Sequence, residues 1–174
     1  AASNIKANDG TAAITIADST GAVALTTETT VGSNNNLVID AENGGALASV
    51  SGLAVQSGVN EFDLVYIASG GYQQADASAI ASAFVVGVSL EDASGGAVSS
   101  GKVALSGTAA VDIPTGTPAV GSRIYLSETA GKATLTPPTT AGSVVFQIGF
   151  VTNATAISGT VFSIVFQPQF IIEN

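Results

Sequence analysis

Side chains branched at Cβ dominate the apolar content of this chain: 32 Val and Ile stand against 9 Leu, and Thr adds 18 more. Such side chains are stiff at χ1 and pack well on a pleated surface, so the balance selects strands over helices. Ala is common, with 29 copies, but it is dispersed among Gly, Ser and Thr and falls into no Leu-rich or Lys/Glu-rich helical pattern. Twenty Gly supply turns. The expectation is an all-β protein of many short strands. With 174 residues, the chain has room for one domain, or one domain and an arm, and needs no covalent staples.

Catalysis is disfavoured by what the chain lacks. It has no Cys, His, Met or Trp. Disulfides and thiolate metal sites are therefore impossible, and the commonest general base, zinc ligand and catalytic triads are missing. The expectation is no enzyme, no cofactor, no metal and no catalytic residue. Charge is sparse and one-sided, with 13 Asp and Glu against Lys6, Lys102, Arg123 and Lys132, a net charge of −9. Such a chain is not expected to bind nucleic acid or an anionic membrane surface. No apolar run reaches the ~20 residues of a spanning helix, and no charged segment precedes an apolar one as in a leader. Ala1 suits removal of an initiator Met.

Residues 1–44 read differently from residues 45–174. Ala12 to Ile16 and Ala22 to Leu25 alternate as strands around the turn Asp18-Ser19-Thr20-Gly21, and Leu37-Val38-Ile39 follows the Asn34-Asn35-Asn36 cluster. The segment carries no aromatic and few large apolar residues, so it is expected to be a β-arm that packs on a neighbouring subunit or on a capsid. All ten aromatics (Phe62, Tyr66, Tyr72, Phe84, Tyr125, Phe146, Phe150, Phe162, Phe166 and Phe170) lie in 45–174, which places the core there. Strands are expected near 62–68, 84–91, 97–106, 109–113, 123–127, 132–136, 144–151 and 160–167. Turns are expected at Ser94-Gly95-Gly96, Ser106-Gly107, Gly131 and Ser158-Gly159. Pro168 should end the last strand or sit at an edge. The stretch 75–83 reads as a loop.

This region also repeats itself. Leu64-Val65-Tyr66-Ile67 matches Arg123-Ile124-Tyr125-Leu126, and each copy continues through a turn and a polar stretch to a Gly-bearing strand, Val85 to Val88 or Val145 to Phe150. Each copy then closes on an alternating strand, Lys102 to Leu105 or Val161 to Val165. Two units of about 60 residues suit a compact β-barrel or sandwich with pseudo-two-fold symmetry, each copy closing the other's edge.

Several patterns imitate active sites. Gly96-Ala97-Val98-Ser99-Ser100-Gly101-Lys102 satisfies the phosphate-loop spacing, but Val103 follows where a hydroxyl must hold magnesium, and the segment enters a strand. Ser99 and Lys102 have serine–lysine acylase spacing without its helix or partner motifs. Glu91-Asp92 and Glu61-x-Asp63 could be paired carboxylates, but no Trp offers a sugar platform, and solvated turn residues are the simpler expectation. The Ser-, Thr- and Asn-rich loops could hold glycans, though surface solubility accounts for them.

The landmarks Asp63-Leu64-Val65-Tyr66, Val85-Val86-Gly87-Val88, Val120-Gly121-Ser122-Arg123-Ile124-Tyr125-Leu126-Ser127 with Gly131-Lys132-Ala133-Thr134, and Val144 to Gly149 occur in a distinctive order over residues 62–167. This order resembles small virion proteins of tailed bacteriophages, above all head decoration (cement) proteins built on a compact β-barrel. That family shows a G-D-x-V-Y entry, a V-G-V-A strand and a second V-G-x-x-V-Y-x-S/D entry. Here Phe62 stands where the first Gly is usual, and Ser122-Arg123 replaces an Asp-containing pair. The stretch from Ile5 to Ala12 and on to Gly21 is similar to openings of phage structural proteins, fibre-like ones included. The resemblance implies a non-enzymatic protein on the outer capsid surface of a virion, with the major capsid protein and itself, as a homotrimer, for partners. The alternative is a tail fibre or receptor-binding module contacting a host surface glycan or protein.

Overall fold

The computed structural model describes the backbone pairing of residues 4–6, 12–16, 23–24 and 46–50 and the chain from 53 to 173, with side chains over 53–172. The chain divides into two compact units, Ala1–Val38 and Ile39–Asn174. In the first, β1 (Asn4–Lys6), β2 (Ala12–Ile16) and β3 (Val23–Ala24) pair antiparallel in the order β1-β2-β3. The strand expected at 37–39 lies outside the described residues.

The second unit is built on β4 (Ala46–Val50), β5 (Leu64–Ala68), β6 (Gly71–Gln74), β7 (Gly87–Ser89), β8 (Val103–Asp112), β9 (Arg123–Leu126), β10 (Ala133–Thr134), β11 (Val144–Val151) and β12 (Val161–Glu173). Eight of these form one antiparallel sheet in the order β10-β9-β11-β12-β8-β7-β5-β6, curled into a half-barrel, and β4 pairs with β8. The all-β expectation holds: among the described residues the one helical turn is a 3-10 turn, Ile80–Ser82, inside the 75–83 loop.

Both Tyr-bearing strands open a hairpin, with Tyr66 opposite Gln73 and Tyr125 opposite Thr134. Their other edges pair in matching register: Val65 faces Gly87 and Leu64 faces Val88, while Ile124 faces Gly149 and Arg123 faces Phe150. Gly87 and Gly149 answer the same packing demand. A Cβ on Gly87 would overlap the Ala104 carbonyl oxygen, and one on Gly149 would overlap that of Val165, so the neighbouring strand approaches too closely for any side chain.

Two apolar clusters lie on opposite sides of this sheet. Leu64 and Val65 are adjacent, so they point to opposite faces, and both are buried. Leu64 joins Val88, Ala104, Ile124, Leu126, Phe146, Ile148, Ile164 and Phe166 in the larger cluster. Val65 joins Val55, Val59, Tyr72, Ala93 and Val103 in the smaller one. Backbone bonds fix that second layer: Val55 exchanges a pair with Val98 (2.8 and 2.9 Å), and Ala93 donates to Val59 (2.8 Å).

The structure corrects four local expectations. The strands expected at 97–106 and 109–113 are one, Val103–Asp112, because Gly107 is paired to both Ala46 and Phe166 and is held in the sheet instead of turning. β4 and β6 arise in segments that carried no strand expectation; Ala-Leu-Ala-Ser-Val and Gly-Tyr-Gln-Gln owe their extension to partners on β8 and β5. Finally, β12 continues through Pro168 to Glu173. Pairing with β8 stops at Phe166 and the β11 register shifts between Gln147 and Gly149, so the proline falls at an edge position that needs no N–H.

Gly87→Ala and Gly149→Ala should each cost about 1–3 kcal/mol by overpacking. Gly95→Ala, with nothing within 4 Å of its added Cβ, should stay within about 0.5 kcal/mol of the parent. Urea titrations of the three variants decide it, and equal stability for all three would contradict the close approach.

Candidate functional site

The half-barrel brings the two ends of its strand order together at one place. The β5–β6 hairpin meets the β9–β10 turn through Gly131, whose carbonyl accepts from Leu64 N–H (2.8 Å) and whose N–H donates to the Ala75 carbonyl (2.8 Å). Ala77 N–H donates to the Ser127 carbonyl (2.9 Å), and Val144 N–H to that of Ala77 (2.8 Å). At this seam sits the most unusual group of the chain, a carboxylate with 0% exposure, Asp63.

Asp63 is satisfied from both sides of the seam. Its Oδ2 accepts from Asn60 N–H (2.8 Å), Asn60 Nδ2 (3.2 Å) and Gln74 Nε2 (2.7 Å). Its Oδ1 accepts from Lys132 Nζ at 2.8 Å, an ion pair between residues 69 apart in the chain. The same ammonium reaches Asp112 Oδ2 at 2.9 Å, and the other Asp112 oxygen accepts from the Thr160 hydroxyl at 2.6 Å. One cation thus ties the entry to β5, the end of β8 and the β9–β10 turn. Gly131 makes the approach possible: its φ is +76°, and an added Cβ would lie 2.5 Å from the Asp63 carboxyl carbon.

Burial pushes the Asp112 carboxyl up, but the Thr160 hydroxyl and the Lys132 ammonium outweigh it and hold the group below its ordinary value. Burial likewise pulls the Lys132 ammonium down, and its bonds and charge attraction to Asp63 and Asp112 outweigh it, leaving the group raised. The triad is therefore a persistent charge cluster with its cation enclosed by two anions. Its chemistry is that of a clamp: each acceptor is held by a donor, and the amine is committed to its carboxylates.

Phe62 shapes the entry to this seam. It has φ +71°, left-handed for a non-glycine residue, and its N–H donates to the Ser89 carbonyl (2.9 Å) while Asp63 O accepts from Ser89 N–H (2.8 Å). This is the position at which the resembling proteins carry Gly, and the backbone conformation explains that choice.

The sequence patterns that imitated active sites are dispersed. Glu61 is exposed while Asp63 is buried, so Asp63 is no solvated turn residue, and the expectation for it is corrected: it faces a lysine from the other half of the fold. Asp92 accepts from Ser94 N–H (2.9 Å) in an exposed turn, and the Ser94 hydroxyl and amide hold its carboxyl low. Ser99 and Lys102 are both exposed, and Lys102 leads directly into β8 with no helix following, unlike a phosphate loop. A separate open groove of about 410 Å³ is lined by Gln56, Ser57, Val59, Gln73, Gln74 and Ala130. Its amides are neutral, and Gln74 turns its Nε2 inward to Asp63. Comparison of the chain with protein families, with curated proteins and with solved structures gives no match.

Lys132→Met should destabilise the fold by about 3–5 kcal/mol, because it leaves Asp63 buried without its cation. The pH dependence follows from the two shifted groups. Stability from Asp112, whose carboxyl is lowered, is present above 3.8 and fades as pH falls through its folded value. Stability from Lys132, whose ammonium is raised, is present below 10.5 and fades as pH rises through its folded value. Denaturant midpoints across pH should show both limbs, and Lys132→Met should flatten the alkaline one. A parent-like midpoint for that variant would contradict the clamp.

Proposed function

We propose that this chain is a non-enzymatic virion structural protein that decorates the outer surface of a phage capsid, as a homotrimer bound to the major capsid protein. The observation that carries this reading is how the resembling landmarks are used. Asp63 and Lys132, the charged residues of the two motif entries, neutralise each other at the seam of the half-barrel, so the motifs serve closure of the fold. What remains outside is an acidic, Ser- and Thr-rich surface suited to protein contacts. Area buried across joints between capsid subunits would stabilise the particle by linkage.

Two finer features belong to this reading. The two 60-residue units are an internal repeat with pseudo-two-fold character, supported by the matched registers at Val65/Gly87 and Ile124/Gly149 and by glycines packed on equivalent carbonyls. Residues 1–44 act as the arm that reaches the capsid. The second reading, a tail fibre or receptor-binding module, is favoured by the amide-lined groove at Gln56, Gln73 and Gln74, whose uncharged donors and acceptors suit a glycan.

Particles assembled with the full chain should carry it on the head in hundreds of copies, counted by reconstruction (an expectation of order from capsid symmetry), while a chain lacking 1–44 should stay folded and leave the head unoccupied. Full occupancy by the shortened chain would overturn the arm. Density confined to the tail would favour the second reading.

A further inference from the structure

The tail of β12 combines three properties. First, its edge is open: pairing with β8 ends at Phe166, and from 167 to 173 the strand pairs only with β11 among the described residues. The sheet's other margins are managed, since β10 has two residues and β6 is met along its outer side by the Val55–Tyr72 bridge. Second, the tail is apolar. Phe170 is 43% exposed and Ile172 53%, and alternation places them on one face, Ile171 on the other. The Phe84 ring, 51% exposed, stacks on Phe170 with centroids 6.0 Å apart and meets Phe146 edge-on at 6.2 Å, so the patch is rigid and continuous with the core. Third, it is free of charge. No Asp, Glu, Lys or Arg occurs between Lys132 and Glu173, although the chain carries a net −9.

From these we infer that the face formed by Phe84, Phe170 and Ile172 is where copies of this chain meet. The charge distribution selects this occupant. Two copies at −9 repel wherever acidic surfaces face each other, and the β11–β12 ribbon is a surface they can share without opposed like charges. Natural edges of this length are usually blunted by charge, and none is present here. Two branched side chains and two stacked rings supply a rigid apolar anchor of the kind that dominates association energies. The inference rests on the homotrimer part of the proposed function and is independent of the capsid part.

The test uses the purified full-length chain with no capsid present. Light scattering across a concentration series should give an oligomer for the parent. Phe170→Glu/Ile172→Glu should weaken association at least about tenfold, and Ile171→Glu, on the opposite face, should leave it unchanged. Thermal midpoints should rise with concentration for the parent and not for the double variant. If the double variant does not fold, Phe84→Ser on its exposed loop carries the same comparison. A parent oligomer unaffected by the double variant or by Phe84→Ser would overturn this contact and leave the oligomer standing. A parent that stays monomeric at every concentration would overturn both.

Discussion

A carboxylate removed from water, Asp63, has to be neutralised from within the fold, and that requirement organises the second unit. Burying an ion costs several kcal/mol even after relaxation, and the cost is offset only when each lone pair finds a donor. Asn60 and Gln74 supply three donors from the same half, and Lys132 supplies the cation from the other. The lysine can arrive only if the β9–β10 turn lies against Asp63, which is also the position that lets Gly131 bond Leu64 and Ala75. Charge pairing and curvature of the sheet therefore demand the same geometry. Replacing the pair with apolar groups could leave the fold as stable, so the pair's particular contribution is to fix which ends meet.

Curling the sheet in this way sets what is covered and what is left open. The larger cluster fills the inner side, and the segment at 53–60 with the Ala93 turn covers Val65, Tyr72 and Val103 on the other. The close approaches at Gly87 and Gly149 bring the strands next to each Tyr-bearing hairpin into tight register. What escapes is the far half of β12, whose apolar tail extends past the end of its β8 partner. A fold that spends its one enclosed lysine on closure and keeps an apolar strand tail at its margin is built for contact with other proteins, and the proposed decoration role draws on that.

Much of the fold was legible in the sequence because its signals are local. Ala12–Ile16 and Val144–Val151 coincide with the runs expected from alternation and β-branching, and Arg123–Leu126 lies within its expected run. Elements that depend on distant partners were not legible. Gly71–Gln74 is a strand only because β5 folds back on it, and Gly107 stays in β8 because two strands hold it there. The seam was the least legible part. Asp63 next to Phe62 and Glu61 has the look of a turn acid, and nothing near it announces a lysine 69 residues on. The one available hint was that Asp63 and Gly131-Lys132 both stood among the landmarks of the resemblance, without an obvious surface role.

The central claim is that Asp63 and Lys132 stabilise the fold as a pair across the seam, and a double-mutant cycle reads it directly. Asp63→Asn, Lys132→Met and the combined variant would be unfolded in denaturant beside the parent at neutral pH. The account predicts that each single change is costly and that the double is far less so than their sum, a coupling well beyond the about 0.5 kcal/mol scatter of independent sites. Additive losses would mean that the two residues act separately, and the seam would have to be held by its backbone bonds alone.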